Sequence, residues 1–272
     1  MIGNNSSQIV DQEESKFTEQ RFFEVNREER HYCALLAHAL LSSKPTRTSF
    51  TEMINSRCNI NLSSDSLEIY LEAAVLRDYW NALGNSKKYP LETNQRRRQV
   101  LKGIIKHMGY SIDIIDNNPF FWTKGINGDG SKLWSPGHWD EKAIKASSFP
   151  KLKEIKWAFN AKPDIMMISN GHVLLIEAKL ESPEGKYDKF GTGQKQIQEL
   201  IADLMKQFIP TFQNTTIQNI LLALKSPNED EWPYHITWED VIDILKTTHL
   251  DAFTQECFKQ LKTQYYSNAN NH

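Results

Sequence analysis

Two carboxylates and a lysine flank the strongest turn signal in the chain, the dipeptide Asn170-Gly171. Asn-Gly between two apolar runs predicts a β-hairpin with a type I′ turn, because that turn needs a positive φ angle at both central residues. Counting outward from the turn places Asp164 opposite Glu177. Side chains alternate between the faces of a strand, so Glu177 and Lys179 also share a face. The hairpin therefore predicts two adjacent carboxylates with a lysine beside them.

This arrangement indicates a divalent cation. Like charges directly opposite each other destabilise a sheet, so a positive group is expected between Asp164 and Glu177. Oxygen ligands without a nearby His or Cys suit a hard cation such as Mg²⁺, with Mn²⁺ as a substitute, rather than Zn²⁺. Such an ion polarises a phosphoryl oxygen and activates water, and Lys179 would stabilise the charge that develops. These parts are suited to phosphodiester hydrolysis.

The sequence Pro163-Asp164, twelve further residues and then Glu177-Ala178-Lys179 resembles the motif of the PD-(D/E)xK nuclease superfamily (restriction-endonuclease-like), in its ExK form. The resemblance implies that Asp164, Glu177 and the backbone carbonyl of Ala178 bind the metal ion. It also implies that Lys179 assists the attacking water. The alternative is a hairpin with polar ends in some other α/β enzyme.

The resemblance further implies an α/β fold whose core has the order αβββαβ, a mixed sheet flanked by helices. This nuclease core would comprise residues 19–45 and 150–225, after a disordered lead-in at residues 1–18. Residues 46–149 would form a mainly helical insertion between the first helix and the sheet. Residues 226–272 would form a C-terminal helical extension.

Three features are predicted within the insertion. Ser64 or Asp65 caps a helix that ends at Leu83, and a basic helix covers residues 91–108. Residues 117–140 form an aromatic, glycine-rich loop that is long enough to be functional. Its rings would either attach the loop to the core or stack on nucleic-acid bases.

Two further site residues follow from the resemblance. In the superfamily the first helix often carries an acidic residue that completes the metal site, and Glu29 is preferred here over Glu28. Glu29 also fits a capping box with Asn26, and one carboxylate does not serve both roles. Relatives often carry a glutamine early in the helix after the motif, near the scissile phosphate; Gln194, one turn before Ile197, is the candidate for steadying the substrate, with Gln198 as the second choice.

Basic residues cluster although the net charge of the chain is −2. That net charge provides no global attraction to nucleic acid, so affinity must come from local patches. The candidates for nucleic-acid binding are Arg96, Arg97, Arg98, Lys102 and Lys162. Three consecutive arginines spread around a helix, so one or two would reach phosphates and the others would face solvent. The alternative is that these basic residues simply form the solvent-exposed face of a helix.

Several classes of protein are not expected. The three cysteines are odd in number and scattered, which argues against a disulfide framework and favours a reducing, cytoplasmic location. Three cysteines do not hold the four-cysteine iron–sulfur cluster found in some members of the superfamily. No P-loop is present, so no ATP site is expected. The polar first sixteen residues do not resemble a signal peptide, and no apolar run has the length of a membrane span.

We therefore expect a Mg²⁺-dependent phosphodiesterase, with a DNA endonuclease in bacterial defence, restriction or DNA repair as the first choice. The alternative is a nuclease-fold subunit of a larger complex, silent or active only with an ATPase or helicase partner. A homodimer would suit double-strand cutting, and no membrane partner is expected.

Overall fold

The computed structural model describes residues 28–113, 115, 121, 134–147, 149, 151–180, 193–227, 232–248 and 250–266. The helices are α1 (Glu29–Ser42), α2 (Lys44–Cys58), α3 (Val75–Ala82), α4 (Pro90–His107), α5 (Glu141–Ala146), α6 (Leu152–Asn160), α7 (Gln194–Phe208), α8 (Trp238–Lys246) and α9 (Ala252–Tyr265). The strands are β1 (Glu68–Leu71), β2 (Ile165–Ser169), β3 (His172–Ala178), β4 (Thr216–Ala223) and β5 (His235–Thr237). The predictions for residues 1–18, for Asn26 and for most of the loop 117–140 lie outside the described residues.

The Asn-Gly hairpin is confirmed. Asn170 has a φ angle of 49° and Gly171 one of 74°, so both central residues adopt the conformation that a type I′ turn requires. The register runs from Ser169 opposite His172 to Ile165 opposite Ile176, as counted from the sequence. One step further along the same register brings the Asp164 and Glu177 positions opposite each other.

The sheet is mixed and its five strands lie in the order β1-β2-β3-β4-β5. The pairs β1–β2 and β2–β3 are antiparallel, whereas β3–β4 and β4–β5 are parallel. Helix α7 connects β3 to its parallel neighbour β4, as a parallel pair requires a long crossover. The expected α/β class, with a mixed sheet flanked by helices, is confirmed.

Helices cover both faces of the sheet, and alternate residues of the central strands enter separate cores. Leu174 and Ile176 of β3 pack into a core with α1, α2, α8 and α9. Val173 and Leu175 pack into the opposite core with α3, α4, α6 and α7. Burial of both faces explains why β3 is a nearly continuous apolar run. A charged side chain at the end of this strand therefore lies in a largely apolar setting.

The predicted helix from Ser64 or Asp65 to Leu83 is wrong in its first half. A short 3₁₀ turn at Ser64–Ser66 is followed by strand β1, and the helix begins only at Val75. Strand β1 pairs with β2 from Glu68 opposite Ile168 to Leu71 opposite Ile165. The sheet thus begins inside the segment that the sequence assigns to a helical insertion, and α3 to α6 lie between β1 and β2 in the chain.

The first helix also begins later than its capping pattern predicts. Helix α1 starts at Glu29, with Glu28 in the N-cap position and no side-chain cap there. Glu29 is therefore the first helical residue and not the third, which is the place that a capping box with Asn26 would give it. The basic helix matches its prediction closely, as Pro90–His107. Among the described residues, no helix combines the length and apolar character needed to cross a bilayer.

Candidate functional site

Asp164 lies immediately before β2, at the end of the hairpin away from the turn. Its Oδ2 atom accepts a hydrogen bond from the backbone N–H of Ala178 at 2.7 Å. This bond fixes the carboxylate against the end of β3. The N–H and C=O of one strand residue point toward the same neighbouring strand, so the carbonyl of Ala178 faces the side of Asp164 as well. No described group donates to the other oxygen of Asp164, Oδ1.

Glu177 is buried, with 6% of its surface exposed, and accepts three side-chain hydrogen bonds. Its Oε1 atom accepts from Lys179 Nζ at 2.7 Å and from Gln194 Nε2 at 2.6 Å. Its Oε2 atom accepts from Gln198 Nε2 at 2.5 Å. Gln194 and Gln198 are one helical turn apart at the start of α7, so both side chains reach the same carboxylate.

Glu29 reaches this cluster from the first turn of α1. Its Oε2 atom lies 3.5 Å from the Nζ atom of Lys179. The Lys179 ammonium, 15% exposed, thus lies between Glu177 and Glu29. The Lys179 carbonyl accepts a hydrogen bond from the indole N–H of Trp238 at 3.2 Å, which anchors the backbone after β3. Glu29 thus lies in the same cluster beside the lysine, and its role as a metal ligand stays a prediction.

An open cleft of about 610 Å³ contains these groups. Five carboxylates and three cations line it: Glu28, Glu29, Glu72, Asp164 and Glu177, with Arg30, Lys162 and Lys179. With all of them ionised, the formal charge of the lining is −2. One divalent cation would neutralise it.

Burial and mutual repulsion raise the pKa values of the two central carboxyl groups. Burial, followed by the charge of Asp164, raises the pKa of Glu177 to about 7. Burial likewise raises the pKa of Asp164, although the Ala178 N–H opposes the shift. Burial lowers the pKa of Lys179, but Glu177 and the other carboxylates outweigh it and the pKa rises above its usual value. Lys179 is therefore a cation at neutral pH.

The donor set fits Mg²⁺, which usually keeps several waters and takes one or two carboxylates from the protein. Asp164 Oδ1 accepts no bond from the described residues. Glu177 Oε2 has one hydrogen bond and retains a lone pair. Within the described ranges, no three His, Cys, Asp or Glu side chains form a ready-made ligand cluster. Among the described residues, two carboxylates and the Ala178 carbonyl are thus the metal ligands on offer, and water and substrate oxygens would complete the shell.

The predicted basic residues separate into two groups. Lys162 lines the cleft, whereas Arg96, Arg97, Arg98 and Lys102 on α4 are not among the residues that line it. Arg97 is 6% exposed, and its guanidinium carbon lies 5.6 Å from the ring centre of Trp80. The position of Arg97 is therefore that of a packing residue.

Two charged residues of the cleft, Arg30 and Glu72, were absent from the sequence prediction. Glu72 follows β1, whose strand character the sequence pattern did not reveal. Arg30 adjoins Glu29, and a helix boundary placed at Asn26 gave no reason to select it. Assigning β1 as a strand would have brought Glu72 beside Asp164, because Leu71 pairs with Ile165.

Comparison with protein-family models, with curated proteins and with solved structures gives no significant match. Assignment of a function therefore rests on the residues of this chain and their geometry.

Proposed function

We propose that the chain is a metal-dependent nuclease of the restriction-endonuclease-like fold, acting on DNA as an endonuclease. The observation that carries the proposal is the meeting of Asp164, Glu177 and Lys179 in one cleft at the end of a buried strand. Opposed carboxylates in such a place cost stability unless a cation joins them. With every group ionised, the residues that line the cleft carry a net charge of −2, which one bound divalent ion would neutralise.

The order of elements also supports the fold proposal. Apart from α2, which precedes β1, and α3 to α6, which lie between β1 and β2, helix α1 is followed along the chain by the strands β1, β2 and β3, by helix α7 and by strand β4. This is the αβββαβ order that the motif resemblance implies, with three antiparallel strands and then a parallel one. The motif residues stand at the ends of the second and third strands of this order.

Asp164, Glu177 and the Ala178 carbonyl would hold the ion. Bound Mg²⁺ polarises a phosphoryl oxygen and lowers the pKa of a coordinated water. Lys179 carries its proton at neutral pH, so it orients the attacking water and stabilises charge on the phosphate rather than acting as a base. No Ser, Tyr or His is among the described residues that line the cleft, which favours direct attack by water without a covalent intermediate.

Gln194 and Gln198 donate hydrogen bonds to the carboxylate of Glu177. Their amide groups hold both oxygens of Glu177 and so fix the direction of its remaining lone pair. Groups that orient a metal ligand in this way contribute to metal affinity and activity. The expectation that Gln194 also steadies the substrate stays a prediction.

The proposal is tested by incubating the purified chain with supercoiled plasmid, single-stranded DNA and single-stranded RNA. Each substrate is incubated with Mg²⁺, with Mn²⁺ and with EDTA. We expect metal-dependent cleavage of DNA that EDTA abolishes. Cleavage that persists in EDTA, or cleavage confined to RNA, would contradict the proposal as stated.

The second candidate function is that of a nuclease-fold subunit that needs an ATPase or helicase partner. One observation favours it: each cation of the cleft lies against a carboxylate of the same chain, which weakens attraction of DNA. Gel filtration of the purified chain and a DNA-binding titration test it. No binding and no cleavage by the folded chain alone, with cleavage restored by a co-purifying ATPase, would favour this candidate.

A further inference from the structure

A second group of charges lies at the mouth of the cleft around Glu72. Glu72 directly follows β1, and its N–H donates to the carbonyl oxygen of Asp164 at 3.1 Å. Its φ angle of 51° lies in the left-handed region, where a non-glycine residue is strained. Glycine would adopt this backbone without strain. Local backbone preference therefore does not account for a glutamate here.

The Glu72 carboxylate joins two cations from separate elements. Its Oε1 atom lies 3.1 Å from the Nε atom of Arg30, the second residue of α1. Its Oε2 atom lies 3.3 Å from the Nζ atom of Lys162, just before the motif. The Arg30 side chain is 70% exposed, and those of Lys162 and Glu72 are about one-third exposed. Both cations line the same cleft as Asp164 and Glu177.

Arg30 and Lys162 are arranged as in an anion-binding site, and the carboxylate of Glu72 from the same chain takes the place of the anion. One oxygen of Glu72 meets each cation, and a phosphodiester likewise presents two non-bridging oxygens that share one negative charge. Guanidinium and ammonium groups are the usual protein partners of phosphate. The Lys179 side chain is only 15% exposed, whereas those of Arg30 and Lys162 are 70% and 34% exposed, so Arg30 and Lys162 are the more accessible cations of the cleft.

Replacement of the carboxylate by a phosphate is energetically accessible. Ion pairs that solvent reaches contribute little to stability, because solvent screens them and side-chain entropy opposes them. Neutralising a backbone phosphate also releases condensed counterions, which favours association at low salt. Glu72 is thus a weak occupant that a phosphate can displace.

We propose that Arg30 and Lys162 form a subsite for a backbone phosphate next to the scissile one, and that Glu72 occupies this subsite until the substrate phosphate replaces it. The inference rests on the proposed function in taking the ligand to be nucleic acid. It assigns substrate binding to the cleft mouth and gives Glu72 an inhibitory contact with the free protein.

Binding is measured by fluorescence anisotropy with a labelled DNA oligonucleotide, with every variant carrying Lys179→Met so that substrate is not consumed. Arg30→Ala and Lys162→Ala are expected to weaken binding roughly 3- to 10-fold and to lower the salt slope by about one unit each. Glu72→Gln is expected to tighten binding by a similar factor at low salt. Glu72→Gly removes the carboxylate while keeping the left-handed backbone, and should tighten binding equally.

Controls and kinetics separate this role from general charge effects. Glu256→Gln and Lys259→Ala change a surface ion pair on α9, away from the cleft, and should leave the affinity nearly unchanged. In the otherwise native enzyme, Glu72→Gln should lower KM several-fold with kcat within about twofold, since loss of a contact made only in the free protein favours substrate binding and transition-state binding equally. A loss of metal-dependent cleavage in Glu72→Gln would instead make Glu72 a metal ligand and overturn the inference. Unchanged affinity in Arg30→Ala and Lys162→Ala would overturn it as well.

The two proposals fail in different ways. If the chain binds the oligonucleotide with the expected pattern but cleaves nothing, the subsite stands and the nuclease assignment falls. If the chain cleaves DNA but the affinity ignores all four cleft-mouth variants, the nuclease assignment stands and the subsite falls.

Discussion

At the scale of single residues, the site depends on one carboxylate that is costly to bury. Glu177 is almost inaccessible to solvent, faces Asp164 and is held by one ammonium and two amide groups. Hydrogen bonds to the charged form oppose its protonation, yet burial and the neighbouring charge dominate and the pKa rises. A buried acid of this kind is a frequent mark of a functional site, because structure alone gives no reason to retain it.

We predict that Glu177→Gln stabilises the metal-free protein at pH 8 but not at pH 5. A carboxyl group whose pKa is raised on folding favours the folded state when protonated and disfavours it as the pH rises through the folded value. The window therefore runs from the ordinary value of 4.5 to about 7. Removing the charge should increase the free energy of unfolding by on the order of 1–3 kcal/mol above that window. Thermal unfolding in EDTA at both pH values measures it.

Asp243→Asn is the matched control, because its carboxylate is on the exposed surface of α8. Asp243→Asn should change the free energy of unfolding little, and by a similar amount at both pH values. Destabilisation by Glu177→Gln at pH 8 would show that this carboxylate serves the fold and would argue against a cation site.

We predict that Gln198→Leu weakens metal binding while leaving the fold intact. Gln198 is 3% exposed and donates to Glu177 Oε2, so its loss removes a bond that favours the ionised carboxylate. Loss of such an orienting group typically costs about 10- to 100-fold in metal affinity or activity. The acid limb of the pH–rate profile should also move to higher pH. Gln207→Leu, at an exposed position of the same helix, is the control, and equal effects of the two would contradict the positioning role.

At the scale of elements, the hairpin is predictable because the residues that determine its turn and register are adjacent in the sequence. Asn170 and Gly171 specify the turn, and the turn specifies the register that opposes the two carboxylates. Strand β1 is not predictable in this way. Its four residues overlap a helical stripe formed by Ile69, Ala73 and Leu76, and short apolar runs do not distinguish strand from helix. Pairing with β2, which is remote in the chain, decides its structure.

We predict that Gly171→Ala costs roughly 1–2 kcal/mol of stability, because an L side chain is strained at its φ angle of 74°. A Cβ atom there would meet nothing within 4 Å, so the penalty comes from the backbone alone. Gly109→Ala is matched, with a φ angle of 84° and equally open surroundings. Chemical denaturation should give similar losses for both. A loss much larger than that of Gly109→Ala would indicate a change of hairpin register.

The basic helix α4 shows how tertiary packing reassigns residues that look alike in sequence. Arg96 is exposed and its Nη1 atom donates to the Leu83 carbonyl at 3.3 Å, whereas Arg97 is packed on Trp80. We predict that Arg97→Ala lowers the free energy of unfolding by about 2 kcal/mol through lost packing. Arg96→Ala should change it by less than about 0.5 kcal/mol. Urea denaturation measures both, and equal stabilities would contradict the packing role of Arg97.

At the scale of the whole molecule, the sequence predicts the α/β class and the meeting of Asp164 with Glu177, but neither the charged residues Arg30 and Glu72 nor the way the helical segment joins the sheet. Motif, turn and apolar runs lie within about twenty consecutive residues, so local rules suffice for them. Arg30, Glu72 and Lys162 meet from three distant segments, and their contact exists only once β1 pairs with β2. These three residues therefore come together only in the folded chain, and the sequence around each of them gives no sign of the contact.

The central claim is that this cleft, through Asp164 and Lys179, carries out metal-dependent DNA hydrolysis. The measurement that tests it most directly is single-turnover cleavage of a labelled DNA substrate in Mg²⁺ by wild type, Asp164→Asn and Lys179→Met. Asp243→Asn and Lys259→Met serve as matched surface controls. We predict at least about a 100-fold loss of rate in each cleft variant and wild-type rates in the controls. Undiminished cleavage by either folded cleft variant would contradict the account.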